Sequence, residues 1–244
     1  QLVHDLASGR LGEASRFLLL PDLIGYWLTG RARTERTNAS TTGLLGINGR
    51  WDTAMMERLG LPVGLFPDLV ETGADQGPLL GDVAERLGLS TSTRVTAVAS
   101  HDTASAVAAI PMDPSRSAYI SCGTWGLVGV ELEQPVVSRD GWKANFTNEV
   151  GADGRIRYLH NVMGLWLLSE TVRQYQREGY RAELGELLAQ AAEAPATVEI
   201  FDTDDARFLP PGDMPGRIRD WYDERGMRPP MTRAEMVRAI DPLT

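Results

Sequence analysis

Residues 94–104, Arg-Val-Thr-Ala-Val-Ala-Ser-His-Asp-Thr-Ala, constrain this chain more than any other stretch. Val95, Val98 and Ala99 belong to a run of β-branched and small apolar residues that predicts a buried strand. The run ends in four polar residues, Ser100, His101, Asp102 and Thr103, and resumes as a small-residue helix over 104–110. Open α/β sheets gather their ligands at the carboxyl ends of such strands. Shortly afterwards, Ser121-Cys-Gly-Thr-Trp125 places Gly123 and Thr124 in a turn whose backbone N–H groups suit a phosphate. A carboxylate base and a phosphate cradle are the minimum equipment for phosphoryl transfer.

Each residue also has a plainer reading. Asp102 either takes the proton of an attacking hydroxyl or caps the helix that follows it. His101 hydrogen-bonds either a sugar hydroxyl or a buried backbone carbonyl. Ser100-His101-Asp102 is not a hydrolase triad, because consecutive side chains in extended backbone point to opposite faces. Cys122 lacks a partner base and reads as a small buried residue. Gly123-Thr124 is equally an ordinary hairpin turn, and Asn161, at a strand–helix junction, offers its amide to a polyol or caps the helix. Trp125 and Trp166 read as core. No run of His, Cys or acidic residues has zinc or calcium spacing.

The surrounding chain reads as α/β. Helices are expected at 21–30 (Pro21 in the first turn, Gly30 as the stop), at 53–59 after the cap Asp52, and at 81–87 before Gly88. A Pro/Gly-rich loop is expected over 62–78. Strands follow at 118–120 and 127–132, then a hairpin of 144–150 and 155–160. Helices are expected at 162–175, with Leu165, Leu168 and Val172 on one face, and at 182–194. A polar loop covers 201–215, and the capping box Thr232-Arg-Ala-Glu235 opens a last helix that stops at Asp241-Pro242. The 244 residues suffice for one large or two modest domains. The net charge of −9 argues against nucleic acid or an anionic membrane as partner. The apolar stretch 17–28, broken by Pro21 and Asp22, is too short to span a bilayer. One cysteine excludes an intrachain disulfide and fits a reducing cytoplasm. A start at Gln1 and a last helix of about two turns are expected of a piece of a longer protein.

Taken in order, several motifs resemble one family. They are Phe17-Leu-Leu-Leu-Pro-Asp22, Asn38-Ala-Ser-Thr-Thr42, Ala99-Ser-His-Asp-Thr-Ala-Ser-Ala106 and Ala118-Tyr-Ile-Ser-Cys-Gly-Thr-Trp125. Gly129-Val-Glu-Leu132, Asn161-Val-Met-Gly-Leu-Trp166 and Pro211-Gly-Asp-Met-Pro215 continue the series. Together they resemble the FGGY carbohydrate kinases and, within them, the rhamnulokinase branch.

The resemblance implies an α/β fold of two actin-like (ribonuclease H-like) domains around ATP and sugar, incomplete in this chain. The rear of the N-terminal, sugar-binding domain would occupy 1–113 and the front of the C-terminal, nucleotide-binding domain 114–244. It implies transfer of the γ-phosphate of ATP to the 1-hydroxyl of L-rhamnulose, with Mg²⁺, and assigns no metal ligand in the chain. Asp102 falls on the family's catalytic base, and His101, Asp102, Thr103 and Asn161 on its sugar contacts. Gly123 and Thr124 fall on nucleotide-phosphate contacts, and Ser169 stands where relatives carry a Gln that approaches the nucleotide. A first phosphate loop and a glycine-rich adenosine loop are expected outside this chain. Alone it is therefore expected to be nearly inactive, with an exposed sheet edge and apolar surface. The alternatives are a noncatalytic actin-like sugar-binding module and a kinase of another ketose, such as L-fuculose or L-xylulose.

Overall fold

The computed structural model describes residues 1–163, 165–180, 183–195 and 199–240. The expected stop at Asp241-Pro242, the helix start at Ala182 and Gly164 of the Asn161–Trp166 motif lie outside the described residues. The chain divides into two compact units, Gln1–Ser121 with Gly129–His160, and Cys122–Val128 with Asn161–Thr244.

The first unit opens with α1 (Leu2–Ala7) and α2 (Leu20–Thr29). Pro21 fits the first turn of α2, where its missing N–H costs nothing, and Gly30 ends the helix in the left-handed region at φ 71°. There follow β1 (Thr34–Glu35), α3 (Arg36–Ala39), α4 (Thr53–Arg58), β2 (Leu69–Val70), β3 (Asp75–Pro78), α5 (Gly81–Leu87) and β4 (Arg94–Thr96). Asp52 caps α4 by accepting the Met55 N–H at 2.9 Å, and Gly88 closes α5. β1 pairs with β2 in parallel, and β3 with β4 antiparallel. Next come α6 (Asp102–Ala108), β5 (Tyr119–Cys122), β6 (Trp125–Leu132), α7 (Arg139–Lys143), β7 (Phe146–Val150) and β8 (Ile156–Met163). The last four strands form a sheet in the order β5-β6-β8-β7. The β7–β8 hairpin is in register from Phe146 opposite His160 to Val150 opposite Ile156.

The second unit packs α8 (Trp166–Arg177), α9 (Leu184–Glu193), α10 (Met214–Asp223) and α11 (Arg233–Ile240) around Leu167, Leu187, Phe208, Met214, Ile218, Tyr222 and Met236. The capping box of α11 is reciprocal. Thr232 Oγ1 accepts the Glu235 N–H at 3.1 Å, and Glu235 Oε2 accepts the Thr232 N–H at 3.2 Å. Among the described residues no helix is long and apolar enough to cross a membrane.

Several expectations are corrected. The presumed loop 62–78 contains β2 and β3, too short for any periodicity to announce. The presumed buried strand over 94–99 is a strand only to Thr96. Ala97 and Ala99 turn inward while Val98 is 65% exposed, so alternation rather than full burial governs the stretch. Residues 162 and 163 extend β8, which delays α8 to Trp166 and leaves Leu165 exposed; Leu167, Leu168 and Tyr175 form the buried face. In β5 Tyr119 points inward, so Ile120 and Cys122 point outward, and Cys122 is exposed. Trp125 is 45% exposed, whereas Trp166 packs against the second unit's core and donates its indole N–H to the Phe208 carbonyl at 2.9 Å. Helix α10 begins inside the presumed loop over 201–215; the Asp213 cap, Pro215 in the first turn and the spacing of Ile218, Trp221 and Tyr222 mark it.

Gly129 of β6 lies directly against the Leu159 and Tyr119 side chains. A Cβ there would lie 2.8 Å from both Leu159 Cβ and the Tyr119 hydroxyl. Gly129→Ala is expected to lower stability by about 1–3 kcal/mol through overpacking, read as a lower urea midpoint at unchanged slope.

Candidate functional site

The polar cluster after β4 is held from below by Glu35, a buried carboxylate at the start of α3. Its Oε1 accepts from the Thr37 N–H at 3.1 Å and the Thr72 hydroxyl at 2.9 Å. Its Oε2 accepts from the Thr37 hydroxyl, the Asn38 N–H at 3.3 Å, and both the N–H and hydroxyl of Ser100 at 3.0 Å. Burial pushes this carboxyl up, but the bonds from Thr37, Ser100 and Thr72 outweigh it and hold it below the usual range. Thr37 extends the anchor, since its hydroxyl accepts the His101 N–H at 3.2 Å. The exit from β4 is thereby fixed residue by residue.

Asp102 is the first residue of α6, yet the capping duty falls on His101, whose Nδ1 accepts the Ala104 N–H at 3.4 Å. The Asp102 carboxylate accepts the Thr103 N–H at 2.7 Å, and its side chain is 99% exposed. So the cap reading of Asp102 is replaced, and so is the notion that His101 serves a backbone carbonyl. Thr103 is buried beside them. Burial, followed by the positive charge of Arg157, lowers the His101 pKa, while Glu149, Asp102 and Glu35 oppose that shift.

Arg157 and Glu149 had no place in the sequence reading. They face each other across the β7–β8 hairpin, with Arg157 Nη2 2.9 Å from Glu149 Oε2 and 3.5 Å from His101 Nδ1. The Arg157 side chain is wholly buried. The available signal was a pair of opposite charges at inward hairpin positions, where apolar residues are the rule.

The remaining site residues lie in the second unit. Gly123 and Thr124 join β5 to β6 and are exposed. The Gly123 N–H donates to the Trp125 carbonyl at 2.9 Å, so it is not free for a phosphate. Among the described residues nothing engages the Thr124 N–H or hydroxyl. The Gly123 and Thr124 carbonyls accept the N–H groups of Leu165 and Trp166 at 2.9 and 3.1 Å, fastening the turn to the start of α8. Ser169 lies half-buried on α8. Asn161 is exposed on β8, a strand position and not a helix cap.

A phosphate fits Thr124 in part, through one N–H and one hydroxyl. Among the described residues no three His, Cys or acidic side chains converge on one point.

Residues 4–109 match the N-terminal domain of the FGGY family of carbohydrate kinases, and residues 118–240 its C-terminal domain. A rhamnulokinase of Enterococcus faecalis is 40% identical over 232 residues, which cover 95% of this chain and 46% of that protein. One from Pectobacterium carotovorum is 39% identical over 237 residues, covering 97% and 46%. The solved structure of a ligand-bound xylulose kinase from Lactobacillus acidophilus superposes with a TM-score of 0.70 at 18% identity, covering 98% of this chain and 49% of that one. The chain thus spans about half the length of the curated relatives it matches.

The anchor beneath the site has a pH signature. Asp22 of α2 accepts the Glu35 N–H with Oδ1 at 3.1 Å, while its buried Oδ2 has no partner. Burial pushes Asp22 up to about 6 from 3.8; the Glu35 N–H bond opposes this and the Glu35 charge adds to it. A raised carboxyl pKa gives stability that is complete below the unfolded value and lost as pH rises through the folded one. Between about pH 4 and 6 the Asp22 contribution therefore falls. Urea unfolding is expected to show Asp22→Asn gaining on the parent chain as pH rises through that window.

Proposed function

Because the chain belongs to the FGGY family of carbohydrate kinases, we propose that the protein transfers the γ-phosphate of ATP to the 1-hydroxyl of L-rhamnulose. The observation that carries the reading is Asp102, a fully solvent-facing carboxylate on a helix start that another residue caps. One of its oxygens, Oδ1, accepts the Thr103 N–H, and the exposed carboxylate keeps acceptor capacity for a substrate hydroxyl. Family membership supports the reaction class, and identity near 40% to rhamnulokinases supports the sugar.

In this reading residues 1–113 form the sugar-binding part and 114–244 the nucleotide-binding part, from which Asn161 alone serves the sugar. Asp102 orients the attacking hydroxyl and accepts its proton as the oxygen approaches phosphorus. His101, Thr103 and Asn161 hold the other sugar oxygens, with Thr103 acting from a buried position. Thr124 contributes its N–H and hydroxyl to a nucleotide phosphate, beside a glycine that leaves room for close approach. Ser169, whose hydroxyl ends two bonds short of a Gln amide, makes a weaker nucleotide contact than the relatives' Gln. Transfer of this kind depends on positioning and charge neutralisation. Magnesium, which the family uses, neutralises phosphate charge when bound, and no step assigned to these residues depends on it.

The test uses a chain of the relatives' full length carrying this sequence, assayed for ATP consumption with L-rhamnulose, L-fuculose and L-xylulose. L-Rhamnulose is expected to give the highest kcat/KM, and Asp102→Asn to lose roughly 10²–10⁴-fold in kcat. Undiminished turnover in Asp102→Asn removes the base, and preference for another ketose removes the substrate. ATP-independent ketose binding without turnover would favour a noncatalytic sugar-binding module.

A further inference from the structure

The imidazole of His101 is met at Nδ1 by two groups that can only donate. One is the Ala104 backbone N–H at 3.4 Å, and the other is Arg157 Nη2 at 3.5 Å. Neither an amide N–H nor a guanidinium accepts a hydrogen bond, and the acceptor on that side, Asp102 Oδ1, lies 3.9 Å from Nδ1, beyond hydrogen-bond reach; Nδ1 therefore presents its lone pair and the ring proton sits on Nε2. We propose that Arg157, locked by Glu149, is a positioning residue that fixes His101 as the neutral Nε2–H tautomer, a hydrogen-bond donor to a sugar oxygen. The reference to a sugar rests on the kinase reading; the tautomer does not.

The proton on Nε2 remains available. The nearest carboxylate oxygen on that side, Glu149 Oε2, is 4.0 Å away, beyond hydrogen-bond reach, and is already engaged by Arg157 at 2.9 Å. The charged groups around the ring are Arg157 and Glu149 from the β7–β8 hairpin, Asp102 from α6 and Glu35 from the start of α3. The ring's partial burial and the adjacent guanidinium both disfavour an imidazolium, and the three carboxylates do not reverse that balance. The cost of the arrangement argues for a purpose. Arg157 is wholly buried beside the Tyr119 hydroxyl, so its charge bears the cost of leaving water. An apolar pair of similar volume would hold the hairpin without that cost. The consequence is a division of labour: Asp102 accepts a proton, while His101 donates a hydrogen bond to a hydroxyl or keto oxygen and does not compete as a base.

The chain has only three histidines, His4, His101 and His160, so ¹⁵N-histidine labelling and long-range ¹H–¹⁵N correlation resolve the question, with His101→Gln to assign the signals. His101 is expected to show the Nε2–H pattern at neutral pH and to titrate below its ordinary value of 6.5. Arg157→Met should move that midpoint to higher pH. An Nδ1–H pattern, or an unmoved midpoint in a folded Arg157→Met protein, overturns the proposal. If Arg157→Met does not fold, Glu149→Gln decides instead: removing the carboxylate should lower the midpoint, and a rise overturns the proposal. The measurement needs neither ATP nor sugar, so its failure leaves the kinase reading standing, and failed ketose turnover leaves the tautomer standing.

Discussion

Glu35 is the interaction on which the first unit's site depends. One buried carboxylate gathers six donors from residues 37–38, 72 and 100, segments with no local reason to meet. Unpaired, it would carry a large desolvation cost; saturated with hydrogen bonds, it becomes a rivet. The rivet fixes Ser100, Thr37 then fixes the His101 backbone, and α6 starts from a defined point. Asp102 can consequently be exposed to solvent without being mobile at its root. A catalytic carboxylate needs both properties, and neither follows from its own side-chain contacts.

The charge pattern follows the same logic. A chain of net charge −9 repels anions at long range, so any phosphate it meets must be held by short-range donors. The Thr124 turn offers two, and the carbonyls behind it are tied to α8 and cannot swing forward to compete. The buried cation of the first unit, Arg157, is turned away from such duty. Paired with Glu149 and set against the His101 ring, it adds to the burial that disfavours the imidazolium.

What was legible in the sequence was local chemistry. Asp52, Thr232 and Glu235 cap the helices their spacing announces, Gly30 and Gly88 stop theirs, and the 151–154 turn joins the expected hairpin. Local rules carry such features because both partners lie within a few residues. Non-local pairings were not legible. Glu35 reads as one more acidic residue until Thr72 and Ser100 arrive from far along the chain, and Arg157 needs the β7–β8 register before it meets Glu149. Strand alternation was misread as burial at Val98 and Cys122, because short apolar runs do not say which face is covered. At the candidate site, residue types located Asp102 and His101, but assigning the cap to His101 took coordinates: an imidazole nitrogen as helix cap lies outside the usual Ser, Thr, Asp and Asn set.

The central claim is that Asp102, relieved of capping, accepts the proton of the sugar hydroxyl that attacks phosphorus. A crystal structure of the relatives'-length protein with L-rhamnulose and a nonhydrolysable ATP analogue tests it most directly. The account requires an Asp102 carboxylate oxygen at roughly 2.6–3.2 Å from the sugar's 1-hydroxyl, with that hydroxyl facing the terminal phosphate. A sugar bound with its 1-hydroxyl on any other side chain, and Asp102 still facing bulk water, would contradict it.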